Sequence, residues 1–349
     1  MGKSRQSDRM RDRDHAARYA SRGWVAIWLV LLVTPAAAQP SATTAPAEPM
    51  AVWRMLLARP APAPPPAVGT AEHARIALGM RLFADRRLSG PGTRSCATCH
   101  RPERAFTDGR AKAASLSGQP LGRNTPTLWN LAAAKSFYWD GRAPSLEAQA
   151  RVPLEAHDEM AADWTVVLPR LVADAKLVAA FASAFPDSPA ISDASVIDAI
   201  AAYERSLVSP PTRFDAWIGG QDNALDAREQ RGFRLFVGKA GCVQCHVGWR
   251  FTDDRFHDIG LASADPGRGA IPGGVPELKA FKTPTLREIG RTAPYMHDGS
   301  LATLDAVLDH YTGKFIVRPG LSANMKRNLR LSARDRADLI AFLAMLTTR

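Results

Sequence analysis

Cysteine is scarce in this sequence, with four residues among 349. That scarcity excludes a small disulfide-stapled protein, because such folds need a dense disulfide framework. Long apolar runs are scarce too: the N-terminal run Trp24–Val33 covers ten residues, whereas a membrane-spanning helix needs about 20. No segment alternates convincingly between apolar and polar residues, so strands are not indicated. What remains is an ordinary globular composition, 46% hydrophobic and 23% charged, in a chain long enough for two domains.

Residues 1–38 have the pattern of a secretory signal peptide. A basic segment precedes Trp24–Val33, and the small residues Ala36–Ala38 follow it. A basic region, a short apolar region and an A-x-A-like site predict export and cleavage before Gln39. The alternative is a retained membrane anchor, since the basic segment is long. After cleavage we expect no stable membrane span.

The net charge of +11 raises the question of a nucleic-acid partner. The leader holds seven of the basic residues and three of the acidic ones, so the chain that follows it carries a formal charge of +7. That chain contains no basic run and no nucleic-acid-binding motif. We therefore expect no nucleic-acid partner, and interpret the remaining charge as complementary to other anionic groups.

Proline and alanine dominate residues 39–68, which include the run Pro64–Pro66. This composition predicts a semi-rigid, extended linker, with folded sequence beginning near Gly69. From there helical segments such as 193–207 and 333–346 alternate with loops rich in glycine and proline. The pattern predicts an all-α fold.

All four cysteines fall in two copies of one motif, C-x-x-C-H. This is the attachment signature of c-type haem, in which two thiols bind the vinyl groups and the histidine ligates the iron. A redox-active C-x-x-C pair does not explain a histidine after both copies, and the two pairs of a zinc site would lie about 15 to 20 residues apart, whereas 142 residues separate these. We predict two covalently bound haem c groups, held by Cys96, Cys99 and His100 and by Cys242, Cys245 and His246.

The residues around each motif repeat. Phe-Thr-Asp follows the first motif at 106–108 and the second at 251–253. In both copies Thr-Pro-Thr-Leu leads to Asp-Gly 15 residues later, from Thr125 to Asp140 and from Thr283 to Asp298. A repeat of this kind indicates two copies of one structural unit. We predict tandem cytochrome c-like domains with one haem each, at 69–217 and 218–349.

The repeat also predicts different iron coordination in the two domains. Aligning Asp140 with Asp298 places Pro153 opposite Tyr311. If Tyr311 supplies the sixth ligand to the second iron, its equivalent in the first domain is a proline, which cannot ligate iron. One haem is then closed, while the other is open to a small oxidant.

Five motifs stand out in the chain: Phe106–Gly109, Arg123–Thr127, Tyr138–Ala143, Phe281–Arg287 and Ala293–Gly299. Together they resemble the bacterial di-haem cytochrome c peroxidase/MauG family, and the resemblance covers about residues 74–346. One branch of that family has Met on the second haem and a distal His on the first; the MauG branch has Tyr on the second haem and no distal His. The sequence resembles the MauG branch, because Tyr311 lies 14 residues after His297 and no His occurs between His100 and His157.

Alternatives to Tyr311 as ligand are His310 and Met296, or a tyrosine that only packs a helix. For His157 we favour a surface position over that of a distal base. The resemblance implies the remaining roles: Glu159 as acid/base on peroxide, Gln149 as the amide that orients it, Pro153 in the wall of the same pocket, Trp139 as electron relay between the haems, and Asn124, Thr292 and Pro294 around a calcium ion.

The function implied is that of a periplasmic di-haem oxidoreductase. Hydrogen peroxide would generate a high-valent di-haem state, which oxidises Trp or Tyr of a partner protein. MauG's interface Trp corresponds here to Ala240, so electrons would need another path, for which Trp249 is the candidate. The alternative is a cytochrome c peroxidase supplied with electrons by a small cytochrome c or cupredoxin. A plain electron carrier is the third hypothesis, and an open haem beneath an acid argues against it.

Overall fold

Two large apolar cores organise the computed structural model, which describes residues 50–272 and 279–348. The first core includes the fully buried Leu82, Phe181 and Ile200. Phe214 and Phe342 are equally buried in the second core. The predicted signal peptide lies outside the described residues, as do residues 39–49 of the predicted linker.

The described residues are mainly helical. Within them no helix is both long and apolar enough to cross a bilayer. A π-helical turn covers His310–Lys314, and several short 3₁₀ turns lie in the loops. The α-helices are α1 Met50–Leu57, α2 Ala71–Phe83, α3 Cys96–Cys99, α4 Leu146–Glu155, α5 Trp164–Val172, α6 Ala175–Ala184, α7 Asp193–Ser206, α8 Arg213–Ile218, α9 Ala227–Val237, α10 Leu304–Asp309 and α11 Ala333–Ala344.

One helix pair in each core crosses at a glycine. A Cβ atom added to Gly79 of α2 would lie 1.8 Å from the carbonyl oxygen of Ala199 in α7. At Gly232 of α9 the corresponding distance, to the carbonyl oxygen of Asp338 in α11, is 2.0 Å. Only glycine allows so close an approach of two backbones. The two pairs therefore cross in the same way. The two glycines begin matching segments, Gly-Met-Arg-Leu-Phe in α2 and Gly-Phe-Arg-Leu-Phe in α9.

The loops after the two C-x-x-C-H motifs also match. Thr127 Oγ1 donates to the carbonyl oxygen of Ala105 at 2.6 Å, and Thr285 Oγ1 donates to that of Arg250 at 2.5 Å. Each threonine belongs to its copy of Thr-Pro-Thr-Leu. The repeat in the sequence is thus also a repeat in the structure.

Two short strands lie in the second copy. Strand β1, Phe256–His257, pairs antiparallel with β2, Phe281–Lys282. The backbone N–H of Lys282 then donates to the carbonyl oxygen of Trp139 in the first copy, at 2.7 Å. Strand β2 therefore fixes the segment that carries Trp139 to the second copy of the repeat.

Helix α1 differs from the prediction of a linker over residues 39–68. Leu57 is fully buried in the second core, and the Trp53 ring lies edge-on to Phe233 with 6.3 Å between ring centroids. Met50, Trp53 and Leu57 share one face of a helix, as the spacing i, i+3, i+7 requires. The surrounding prolines and alanines concealed this face in the sequence. Among the described residues of the predicted linker, 58–67 have no regular secondary structure.

The predicted boundary between residues 217 and 218 falls inside α8 and is corrected by the structure. Phe214 and Trp217 of α8 are buried in the second core, whereas Leu207 closes the first. The two halves therefore meet between Leu207 and α8. We use "first half" for α2 to α7 and "second half" for α8 to α11 together with α1.

Candidate functional site

The first C-x-x-C-H motif presents its groups as a covalently attached haem requires. Helix α3 carries Cys96 and Cys99 on one turn. His100 Nδ1 lies 2.9 Å from the carbonyl oxygen of Phe106. This hydrogen bond orients the ring and leaves Nε2 for a metal, the arrangement usual for histidine ligands. Burial lowers the pKa of His100, so the neutral, ligating form is favoured.

The second motif repeats this geometry. Cys242 begins a 3₁₀ turn that ends beside Cys245. His246 Nδ1 lies 2.9 Å from the carbonyl oxygen of Phe251, and burial lowers the pKa of His246 as well. The residues of both motifs therefore fit a haem c: two thiols and one oriented imidazole at each.

A cavity of about 70 Å³ adjoins the first motif. The structure brings three residues predicted to act on peroxide, Gln149, Pro153 and Glu159, together with Cys96 and His100 in its lining. The cavity thus combines a candidate iron ligand with a carboxyl, an amide and an apolar wall.

Glu159 has the protonation behaviour of an acid/base group. Burial raises the pKa of Glu159, while the nearby Arg142 lowers it and Asp158 raises it further. A carboxyl with a raised pKa is the kind of group that can both accept and return a proton.

Pro153 shapes helix α4 as well as the cavity. Proline has no N–H, so the carbonyl of Gln149, four residues earlier, loses its helical donor. The hydroxyl of Tyr138 donates to that carbonyl instead, at 2.9 Å. The Arg142 guanidinium stacks on the Tyr138 ring, 3.5 Å from its centroid. These contacts hold the turn of α4 that carries Gln149 against the loop that carries Trp139.

Trp139 lies where the two halves meet. Its indole Nε1 donates to the carbonyl oxygen of Asn124 at 2.9 Å, and its own carbonyl accepts from Lys282 of β2. Asn124 in turn donates its backbone N–H to the carbonyl oxygen of His297 at 2.7 Å. His297, the repeat counterpart of Trp139, stacks on Phe281 with ring centroids 3.6 Å apart. A continuous path of polar and aromatic contacts therefore joins the halves at Trp139.

Tyr311 lies in the π-helical turn that follows α10, and π-helical turns are frequent at functional sites. Burial raises the pKa of its phenol, and the thiols of Cys242 and Cys245 add to the effect, which places Tyr311 beside the second motif. The alternative ligand His310 is held elsewhere, since its Nε2 lies 2.9 Å from the carbonyl oxygen of Ile259.

Two further predicted residues have clear positions. The side chain of His157 is 98% exposed, as we favoured. Asn124 is buried, and its Nδ2 donates to the carbonyl oxygen of Arg110 at 2.8 Å, which leaves Oδ1 as its side-chain atom for a cation. Thr292 and Pro294 precede His297, whose carbonyl Asn124 contacts. The three residues predicted to bind calcium thus lie on adjoining segments.

Sequence reasoning missed the second carboxyl in the lining of the cavity, Glu204 of α7. It is 5% exposed and lines the same wall as Glu159. In the sequence it stands between Tyr203 and Arg205 near the end of an amphipathic helix, where an acid is usually solvated. No signal in the sequence could have found it.

Comparison with known proteins places the chain among di-haem enzymes. Residues 73–223 match the family model described as di-haem cytochrome c peroxidase. The methylamine utilization protein MauG of Methylorubrum extorquens is 49% identical over 78% of each chain, and that of Methylophilus methylotrophus is 42% identical over 78% of this chain and 82% of its own. A solved MauG-like protein associated with microbial copper homeostasis has a TM-score of 0.74 and 35% identity, covering 82% of this chain and 94% of its own.

The identity and coverage of these relatives show the family to which the chain belongs. The chain therefore belongs to the di-haem cytochrome c peroxidase/MauG family, in its MauG-like branch, and is a haem-dependent oxidoreductase that acts on peroxide.

Proposed function

We propose that each half of the molecule holds one covalently attached haem c. Cys96 and Cys99 bind the first haem and Cys242 and Cys245 the second, with Nε2 of the adjacent histidine on each iron. The matched hydrogen bonds from His100 and His246 to backbone carbonyls support this assignment. When bound, the haem pair supplies the two-electron reduction of peroxide and the storage of two oxidising equivalents.

Peroxide reacts in the cavity of the first half. Gln149 orients it through its side-chain amide, Pro153 offers no ligand to the iron, and Glu159 takes a proton from one peroxide oxygen and returns it to the other. The single observation that carries the proposal is that one cavity wall holds all three residues together with His100. An acid/base group placed in this way accelerates proton transfer by about 10²–10⁴-fold.

Tyr311 would hold the second iron through its phenol oxygen. A phenolate is an anionic ligand, and coordination to a cation reverses the effect of burial on the phenol. Trp139 lies at the contact between the halves, where it would relay electrons between the two haem sites. The position of Asn124 supports a calcium ion with Asn124, Thr292 and Pro294 as ligands, since oxygen donors suit calcium.

The substrate is a Trp or Tyr of a partner protein in the periplasm. Ala240 occupies the position of MauG's interface Trp. We therefore assign half-buried Trp249 as the residue through which electrons pass from the partner protein to the enzyme. The Arg59 guanidinium lies 5.3 Å from the centroid of the Trp249 ring. The net positive charge of the chain after the leader suits an acidic partner surface.

Peroxide addition to the diferric holoenzyme tests this function. One equivalent should cause a long-lived absorption change in both haems, and Glu159→Gln should slow its onset by about 10²-fold or more. Glu155→Gln is the matched control, because Glu155 lies on exposed helix surface outside the cavity. Immediate bleaching in the native enzyme, or equal onset rates in the two variants, would contradict the proposal. Fast turnover of a reduced small cytochrome c would favour a cytochrome c peroxidase.

A further inference from the structure

Glu204 is a buried carboxyl without a hydrogen-bond partner in the described part of the chain. It is 5% exposed, and its Oε2 is both inaccessible to solvent and unpaired. Buried polar groups are nearly always paired, because an unpaired one costs free energy. We therefore ask what an unpaired, buried acid does in the cavity that it lines.

The surroundings of Glu204 connect that cavity with the protein surface. Glu204 lines the cavity wall that also holds Glu159 and Gln149. On its outer side Arg205 of α7 pairs with Glu147 of α4, and both of these side chains are partly exposed. Glu204 therefore lines the cavity assigned to peroxide and is also close enough to a partly exposed ion pair to be affected by its charges.

The charged and titratable groups around Glu204 favour its protonated form. Burial raises the pKa of Glu204 to about 8; Arg205 lowers it, and Glu147 raises it. The other titratable groups that face Glu204 are the thiol of Cys96 in α3 and the phenols of Tyr138 and Tyr203. Near neutral pH the side chain therefore carries a proton that it can give up.

The reaction proposed above needs such a proton. Reduction of one peroxide to two waters consumes two electrons and two protons that do not come from the peroxide. Glu159 only moves a proton from one peroxide oxygen to the other, so it contributes none of these. Both must enter the cavity from solvent, at the stage when electrons return to the oxidised enzyme.

We propose that Glu204 is the group that delivers protons to the first cavity. Its carboxyl O–H gives a proton to the oxygen that leaves as the second water, and the carboxylate is reprotonated from solvent beside Arg205 and Glu147. Two such cycles supply the two protons, while the partner protein or a reductant supplies the two electrons. The proposal rests on the proposed function and adds to it the source of the protons.

Stopped-flow spectroscopy of the holoenzyme separates the two roles. After peroxide addition, Glu204→Gln should react at the native rate in the first phase. The return to the resting spectrum, with ascorbate as reductant, should be slowed by about tenfold or more. Glu159→Gln should instead lose the first phase, so failure of the proposed function and failure of this inference are distinguishable. A native return rate in Glu204→Gln, or equal slowing of both phases, would overturn the inference.

Two further measurements distinguish proton delivery by Glu204 from a purely structural role of this residue. The native return rate should fall as the pH rises through the pKa of Glu204 and should slow in D₂O, whereas the rate in Glu204→Gln should be flat in pH. Infrared spectra of the resting holoenzyme should contain a protonated-carboxyl band that Glu204→Gln lacks and Glu155→Gln retains. If Glu204→Gln does not fold, a native return rate independent of pH and of D₂O overturns the inference by itself.

Discussion

Two single residues distinguish the halves of this molecule. The structural repeat places Pro153 and Tyr311 at equivalent positions, the first inside α4 and the second in the turn after α10. Proline has no side-chain donor atom, whereas a phenol has one, so one substitution changes whether an iron keeps an open position. In the function proposed above, the contrast between a peroxide site and an electron store rests on one side chain in each half.

Tyr311→Phe tests the ligand at the second iron. The phenylalanine fills the same space but offers no oxygen, so the second haem should become high-spin or take a new ligand. Electron paramagnetic resonance of the diferric holoenzyme measures this change, and the signal of the first haem serves as internal control. An unchanged spectrum would show that Tyr311 does not coordinate iron.

Residues differ in how far their roles could be predicted from sequence. Cys96 and His100 could be predicted because haem attachment imposes a local spacing on the chain. Glu159 needed the family resemblance, since its approach to Gln149 depends on how the loop after α4 folds. Glu204 could not be predicted at all: its burial results from the packing of α7 against other elements, and its sequence neighbours indicate a solvated helix surface.

Among the elements, α1 shows how composition can mislead. Eight residues between proline-rich stretches form a helix because the second core offers a site for Trp53 and Leu57. An isolated helix of this length is not stable in water. Tertiary contacts therefore decide its structure, and these cannot be read from the local sequence. The longer helices α7 and α11 were predictable because their amphipathic pattern extends over several turns.

Leu57→Ala measures how firmly α1 is docked. Removing a fully buried leucine side chain should lower the free energy of unfolding by about 2–5 kcal/mol. Met55→Ala is the matched control on the same helix, because Met55 is 75% exposed and its loss should cost less than about 0.5 kcal/mol. Denaturant unfolding of the holoprotein measures both. Equal stabilities would mean that α1 is not docked in solution.

At the scale of the whole molecule, the contact between the halves contains a half-buried lysine. Lys282 of β2 donates from Nζ to the carbonyl oxygen of Ser136 in the first half, at 2.5 Å. Burial lowers the pKa of Lys282 from 10.5 to about 8, although the nearby Asp254 raises it. The charged form is thus disfavoured where the two halves meet.

This burial makes stability depend on pH. Between about pH 8 and 10.5 the unfolded chain binds more protons at Lys282 than the folded one, so the free energy of unfolding should rise with pH in that window. The cost of holding a charged Lys282 in the folded state is present in full below about pH 8 and is absent above about pH 10.5. Lys282→Met should abolish this rise, whereas Lys239→Met, at an exposed ion pair with Asp335, should retain it. Unfolding curves measured across the window, with the same slope in all three proteins, would contradict this assignment.

Helix α1 packs on residues that come much later in the chain. Trp53 contacts Phe233, although the entire first half lies between them in the chain. During synthesis, α1 is made before the rest of the described chain, yet it has no site until α9 and α11 have followed. The second core is therefore completed by the earliest part of the described chain. A polypeptide interrupted before Phe233 leaves Trp53 and Leu57 without their packing partners, so this segment should stay unfolded and open to proteases.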